Sequence, residues 1–133
     1  MRFTKKIDYG LVLLSDIQDS FFTKKFVSIL SVAHKHNLPY AFLEKLALSF
    51  SKAGIMEARR GCNGGYRLKK DPKKITIEDV VSVFEEPKMT DCLSFAKKGT
   101  RCLFLKTCPT RNGFIRLDGK INDIFRKTTL ASL

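Results

Sequence analysis

The stretch PYAFLEKLALSFSKAGIMEARRGCNGGYRL, residues 39–68, decides the fold. Pro39 opens it with a fixed φ suited to a first helical position, and Leu43, Leu46, Ala47 and Phe50 then recur at i, i+3, i+4 and i+7. That spacing predicts an amphipathic helix ending before Gly54. The period then changes. Ile55 and Glu57, then Tyr66 and Leu68, alternate around Arg59-Arg60-Gly61-Cys62-Asn63-Gly64-Gly65, the signature of a β-hairpin with a basic tip.

Upstream, Phe26, Ile29, Leu30 and Ala33 form a short helical face ended by Asn37, a residue tolerant of the left-handed conformation. Two helices joined by a tight turn outline a helix-turn-helix, and a basic hairpin directly after it completes the order of a winged helix. An earlier helix over residues 7 to 17 carries Ile7, Leu11, Leu14 and Ile17, with Gly10 as a point of close approach. Downstream, Thr76 and Asp79 form a variant of the capping box ahead of Ile77, Val80, Val81 and Phe84, and Pro87 closes that fourth helix.

From Pro87 to Pro109 periodicity is lost, lysine is abundant, and Cys92, Cys102 and Cys108 appear. A loop of this length inside a small domain implies a function. Beyond it Phe114, Leu117, Ile121, Ile124 and Phe125 make an a/d-like seam, with Asp118, Lys120 and Arg126 outside it. This last helix is expected to lack a partner within the chain. Its seam can fold back or pair with a second subunit, and two-fold symmetric DNA sites favour the homodimer. The expected fold is therefore mainly α with a small β-hairpin wing: a winged-helix DNA-binding domain over 1–86, a cysteine loop over 87–109, and a long C-terminal dimerisation helix and tail over 110–133.

The 133 residues carry 25 Lys and Arg against 13 Asp and Glu, a net charge of +12 that favours a polyanionic partner. No window approaches the ~20 apolar residues of a membrane span, and no secretory signal opens the chain, so a cytoplasmic protein is expected. Neither a phosphate-cradling glycine loop nor a His-centred constellation supports catalysis; His34 and His36 read as surface histidines, and no enzyme activity is expected.

Tyr40, Ala41, Glu44 and Lys45 stand near the start of the presumptive recognition helix, where side chains reach base edges in the major groove. Glu44 can accept from cytosine, and Lys45 can reach phosphate or guanine. Arg59 and Arg60 at the tip suit phosphates or a narrow minor groove, while Gly61, Gly64 and Gly65 let the backbone turn and approach. Lys5, Lys6, Arg67, Lys69 and Lys70 are candidates for sequence-independent phosphate contacts. An ordinary solvated surface explains any single one of Tyr40, Ala41, Glu44 and Lys45, or of Lys5, Lys6, Arg67, Lys69 and Lys70, equally well.

The Cys92-x9-Cys102-x5-Cys108 spacing offers three soft thiolate ligands, suited to an iron–sulfur cluster or, less often, zinc; unremarkable loop thiols are the bland alternative. Cys108 precedes the last helix, with Lys97, Lys98, Arg101 and Lys106 near in sequence, and both features favour thiolate. Cys62, at the hairpin tip, stands apart from the set.

Along nearly its whole length the chain resembles the IscR-type regulators, the Rrf-two family that also includes NsrR, RirA and CymR. The resemblance is carried by Met1-Arg2-Phe3-Thr4-Lys5, Phe42-Leu43-Glu44-Lys45-Leu46, Arg60-Gly61 with Gly64-Gly65-Tyr66-Arg67-Leu68, Ile75-Thr76-Ile77-Glu78-Asp79-Val80 and Thr129-Leu130-Ala131-Ser132-Leu133. It implies a homodimer with winged-helix heads on a palindromic operator in double-stranded DNA. It also implies a [2Fe-2S] or [4Fe-4S] cluster, held by Cys92, Cys102 and Cys108, whose state alters DNA binding. IscR-like members have histidine three residues after the last cysteine, where this chain has Arg111, which cannot coordinate iron. NsrR-like members use a first-helix aspartate from the other subunit, and Asp8 matches it, although a helix-N-terminal carboxylate needs no such role. The expected function is a repressor whose cluster senses nitric oxide, oxygen, iron or cluster supply. A cluster-free regulator using zinc or thiol oxidation is the first alternative, and a redox or cluster-transfer protein that does not bind DNA is the second.

Overall fold

The computed structural model describes residues 3–85, 102–104 and 106–133. The chain begins with α1 (Lys5–Asp16), a single turn α2 (Ser20–Thr23), α3 (Ile29–His36) and α4 (Tyr40–Lys52). A hairpin of β1 (Met56–Arg59) and β2 (Gly65–Leu68) follows, then a 3-10 turn at Pro72–Lys74, α5 (Ile77–Phe84), α6 (Arg111–Lys127) and a terminal 3-10 turn at Leu130–Ser132. No helix among the described residues is long and apolar enough to cross a membrane.

The helix-turn-helix is α3 and α4, joined through Asn37 in the left-handed conformation at φ 52 and ψ 47. Pro39 caps α4 rather than lying inside it, and Tyr40 is the first helical residue. Leu43, Leu46, Ala47 and Phe50 are buried, as their spacing requires. They meet Leu13 and Leu14 of α1, Ile17 just past its end, Val32 and Ala33 of α3, and Leu68 of β2 in one core. Each Leu, Ile, Val or Phe among them contributes roughly 1.5–3 kcal/mol when fully buried. At Gly10 a Cβ would lie 2.9 Å from Cζ of Phe50, so this glycine sets how closely α1 approaches α4.

β1 and β2 pair antiparallel with Met56 opposite Leu68 and Arg59 opposite Gly65. A third segment joins their edge: Val27 N–H donates to the Tyr66 carbonyl at 2.8 Å, and Tyr66 N–H donates back at 2.9 Å. Gly65 makes that approach possible, since its φ is +139 and a Cβ there would stand 2.3 Å from the Val27 carbonyl oxygen. The buried hydroxyl of Ser20 accepts from Leu68 N–H at 3.0 Å and ties α2 to the wing.

Thr76 and Asp79 form the expected capping box, each side chain accepting from the other residue's backbone N–H, at 3.1 and 2.9 Å. The end of the chain returns to this point. Leu130 is buried, its N–H donates to the Ile75 carbonyl at 2.8 Å, and Thr129 bridges Thr76.

Three further expectations are corrected. Phe26 and Leu30 are not on the buried face of the second helix: α3 starts at Ile29, Phe26 precedes it beside the strand-like Val27, and Leu30 is exposed. The last helix does have a partner in the chain, because α6 packs on α5, with Phe125 joining Ile7, Ile77 and Val81 and stacking at 5.8 Å on Phe3. Asp118 is not on an outer, solvated face: it is only 7% exposed and accepts from Asn122 Nδ2 at 3.0 Å. Phe114, Ile115, Leu117 and Ile124 remain exposed. Pro87 and most of the expected cysteine loop lie outside the described residues.

Candidate nucleic-acid interface and cysteine site

The winged-helix arrangement gathers the candidate DNA contacts from three segments. At the start of α4, Tyr40, Ala41 and Lys45 are exposed and Glu44 is half-buried. One turn of helix separates Tyr40 from Glu44, so the phenol Oη donates to Glu44 Oε1 at 2.8 Å. This hydrogen bond, followed by desolvation, raises the Tyr40 pKa above its ordinary value. Tyr66 on β2 is raised as well, first by burial and then by the Glu44 charge, which brings the wing strand and the helix into one electrostatic neighbourhood.

Lys5 and Lys6 are exposed and line a surface depression with Phe42 of α4 and Phe84 of α5. The edge-to-face contact of Tyr9 and Phe42 at 5.7 Å fixes that end of α1 against α4. The first half of α1 is thus held beside the start of α4.

The wing supplies the rest. Arg59, Arg60 and Gly61 are exposed, and Gly64 N–H closes the tip turn on the Gly61 carbonyl at 3.0 Å. Arg59 Nη2 donates to the Asn63 carbonyl at 2.6 Å. Arg67 is more committed: its Nε donates to Glu57 and its Nη1 to the Lys24 carbonyl at 2.9 Å. Both guanidiniums pack on Phe26, with Cζ 4.4 Å from the ring centroid for Arg59 and 4.6 Å for Arg67. The role of Phe26 was missed in the sequence because it falls three residues before Ile29, at helical spacing. The sign that could have placed it was Val27 next to it, a β-branched residue in a strand-like context.

Of the expected metal ligands, Cys102 and Cys108 are described and half-buried, and Cys92 lies outside the described residues. Cys108 stands just before α6, its N–H donating to the Phe104 carbonyl at 2.7 Å and its Sγ 3.4 Å from Thr110 Oγ1. The Thr110 hydroxyl first, then the backbone N–H groups of Thr110 and Arg111 and the Arg111 charge, hold the thiol below its ordinary pKa. Asp8 is exposed in the first turn of α1. Among the described residues no group of three potential metal ligands comes together within the single chain. Cys102 and Cys108, the latter biased toward thiolate, are each donors of the soft kind that iron–sulfur clusters and zinc take.

The family model described as Rrf2, iron-dependent transcriptional regulator, matches residues 3–133. The chain is 32% identical to the NsrR regulator of Shouchella clausii, over 81% of this chain and 71% of that one. The structure of CymR, the global cysteine regulator of B. subtilis, superposes with a TM-score of 0.80 at 26% identity, covering 99% of this chain and 95% of that one. For IscR of T. potens the TM-score is 0.75 at 25% identity, over 99% and 85% of the two chains. These relatives and structural neighbours are transcriptional regulators rather than enzymes. On its hairpin wing, its helix-turn-helix and this match over nearly its full length, the chain belongs to the Rrf2 family of winged-helix, DNA-binding transcriptional regulators.

Proposed function

We propose that this protein is a homodimeric repressor of the iron–sulfur-sensing type, in which the state of the cysteine site sets affinity for a palindromic operator. The division of labour is a DNA-binding head over 1–86, a cysteine loop over 87–109, and a dimerisation helix with its tail over 110–133. The exposed apolar residues of α6, Phe114, Ile115, Leu117 and Ile124, are the surface offered to the second subunit. On the DNA, Tyr40, Ala41, Glu44 and Lys45 enter the major groove, Lys5 touches phosphate, and Arg59, Arg60, Gly61 and Gly64 bring the wing to the backbone or the minor groove. Arg67 contributes through the wing that it fastens.

The observation that supports the sensing reading is the placement of Cys108, its Sγ 3.4 Å from Thr110 Oγ1, immediately ahead of the helix proposed to dimerise, with Cys102 and Cys92 upstream of it in the same segment of sequence. Cys92, Cys102 and Cys108 would hold a [2Fe-2S] or [4Fe-4S] cluster, with the partner subunit's Asp8 as fourth donor. A bound cluster supplies redox chemistry and reactivity toward oxygen or nitric oxide. The chain's part is to hold the thiolates, and to link the cysteine segment through α6 to α5 and the core of the head.

Arg111, three residues after Cys108, favours a second reading in which the same thiols bind zinc or undergo reversible oxidation, and the cysteine regulator CymR is a structural neighbour. Iron, sulfide and zinc analysis of anaerobically purified protein separates the two. Iron with thiolate-to-iron charge-transfer absorption, lost in Cys102→Ala, supports the cluster; stoichiometric zinc, or neither metal, supports the second reading.

A further inference from the structure

The two arginines that flank the wing rest on one aromatic ring that no expectation assigned to the site. Phe26 presents its ring to Cζ of Arg59 at 4.4 Å and to Cζ of Arg67 at 4.6 Å. The ring is itself held in place, because the adjacent Val27 is bonded to Tyr66 of β2 in both directions, at 2.8 and 2.9 Å.

The two guanidiniums differ in what else they do. Arg67 spends its Nε on Glu57, directly across the hairpin, and its Nη1 on the Lys24 carbonyl, so its donors face the protein. Among the described residues Arg59 makes a single further side-chain bond, Nη2 to the Asn63 carbonyl at 2.6 Å, and it lies on an exposed strand end at the tip. An unrestrained arginine there would sample many rotamers, and a duplex would have to fix one of them at an entropic cost. A guanidinium stacked on an aromatic face and bonded at one edge has lost most of that freedom already, while its remaining N–H groups stay available.

We propose that Phe26 is a positioning residue for DNA binding: its ring seats Arg59 in the orientation that meets the duplex, and Arg67 fastens the wing to that seat instead of touching DNA. This rests on the reading of the wing as part of the interface. It assigns a function to Phe26, Lys24 and Glu57, which carry none of the direct contacts.

The test uses the duplex that the wild-type protein enriches from a randomised library, with affinity followed against salt concentration for the full chain. Each phosphate neutralised by a cation steepens the salt dependence, whereas a residue that only orients the cation leaves the slope alone. Phe26→Leu is expected to weaken binding about threefold to tenfold with the slope retained. Phe26→Tyr, which keeps an aromatic face, is expected to restore most of the loss. Arg59→Gln is expected to weaken binding and lower the slope by about one for each wing engaged. Combined with Phe26→Leu, it should lose little more than Arg59→Gln alone. Arg59→Lys keeps the charge and removes the planar stack, so it should keep the slope and lose affinity, a result that does not depend on how Phe26→Leu folds. Unchanged affinity in Phe26→Leu and in Arg59→Lys, with Arg59→Gln impaired, overturns the positioning role while leaving the wing contact standing. Unchanged affinity and slope in Arg59→Gln overturns the wing contact, and the proposal with it.

Discussion

Arg126 donates through Nε to both carboxylate oxygens of Glu78, at 3.1 and 3.0 Å, and so pins the end of α6 to the first turn of α5. Glu78 lies beside the Thr76–Asp79 capping box, and α5 packs on α1 of the head. A displacement of α6 therefore reaches the core of the head through this pair and through Phe125. Because the pair is exposed, it holds geometry rather than supplying much stability. Arg126→Met is expected to leave the melting temperature nearly unchanged and to narrow the difference in operator affinity between metal-loaded and metal-free protein. Fluorescence anisotropy on the two forms measures it.

The wing has a sharper dependence on a single backbone position. Gly65→Ala adds a Cβ at 2.3 Å from the Val27 carbonyl oxygen at a φ of +139, which no alanine adopts without strain. The expected cost is about 1–3 kcal/mol, together with loss of the Val27–Tyr66 bridge and of tight DNA binding. Chemical denaturation gives the first quantity, and slowed-exchange protection of the Val27 and Tyr66 amides reports the second.

Leu130 near the end of the chain behaves as a core residue, only 1% exposed. Leu130→Ala is expected to destabilise the fold by about 2–5 kcal/mol. A urea titration showing the midpoint lowered and the slope retained would agree; an unchanged midpoint would mean that the returning tail contributes nothing to the head.

Asp16 at the end of α1 is bracketed by His36 Nε2 at 3.0 Å and by the Lys35 ammonium. Burial alone would raise its pKa, but the hydrogen bonds and charges of Lys35 and His36 outweigh it and hold the carboxyl below the ordinary carboxylate value. A depressed folded-state pKa contributes stability that is present above the unfolded pKa of about 4 and is lost as pH falls through the lower, folded value. Asp16→Asn is therefore expected to be less stable than wild type from pH 5 to 8, with the gap closing below about pH 4. Denaturation midpoints across that range check the sign.

Most of the head was legible because its signals are local. The i, i+3, i+4, i+7 spacing from Leu43 to Phe50, the Asn37 stop, the Thr76–Asp79 cap and the alternation around Asn63-Gly64 each fix a conformation within a few residues. What escaped depends on partners far along the chain. Phe26 sits at helical spacing from Ile29, yet Val27 is claimed by Tyr66, thirty-nine residues away, and that ladder places the ring under Arg59 and Arg67. The α6 seam appeared unpartnered because α5, which it meets, lies across the cysteine loop. Asp118 shares a helix face with Ile121, Asn122 and Phe125, at i+3, i+4 and i+7, and only its polar side chain pointed to a solvated position. For the candidate DNA interface, the sequence offered residue types and their order, whereas the Tyr40–Glu44 bond and the commitment of Arg67 emerged only from geometry.

The most direct test of the sensing account is operator affinity of anaerobically purified protein before and after its metal is removed by chelation, with the duplex and salt held fixed. The account predicts a coloured, iron-containing protein whose affinity changes at least about tenfold on metal loss, a coupling of ordinary allosteric size, and a Cys108→Ala variant locked at the metal-free value. A colourless, iron-free protein that binds the duplex identically before and after chelation would contradict it.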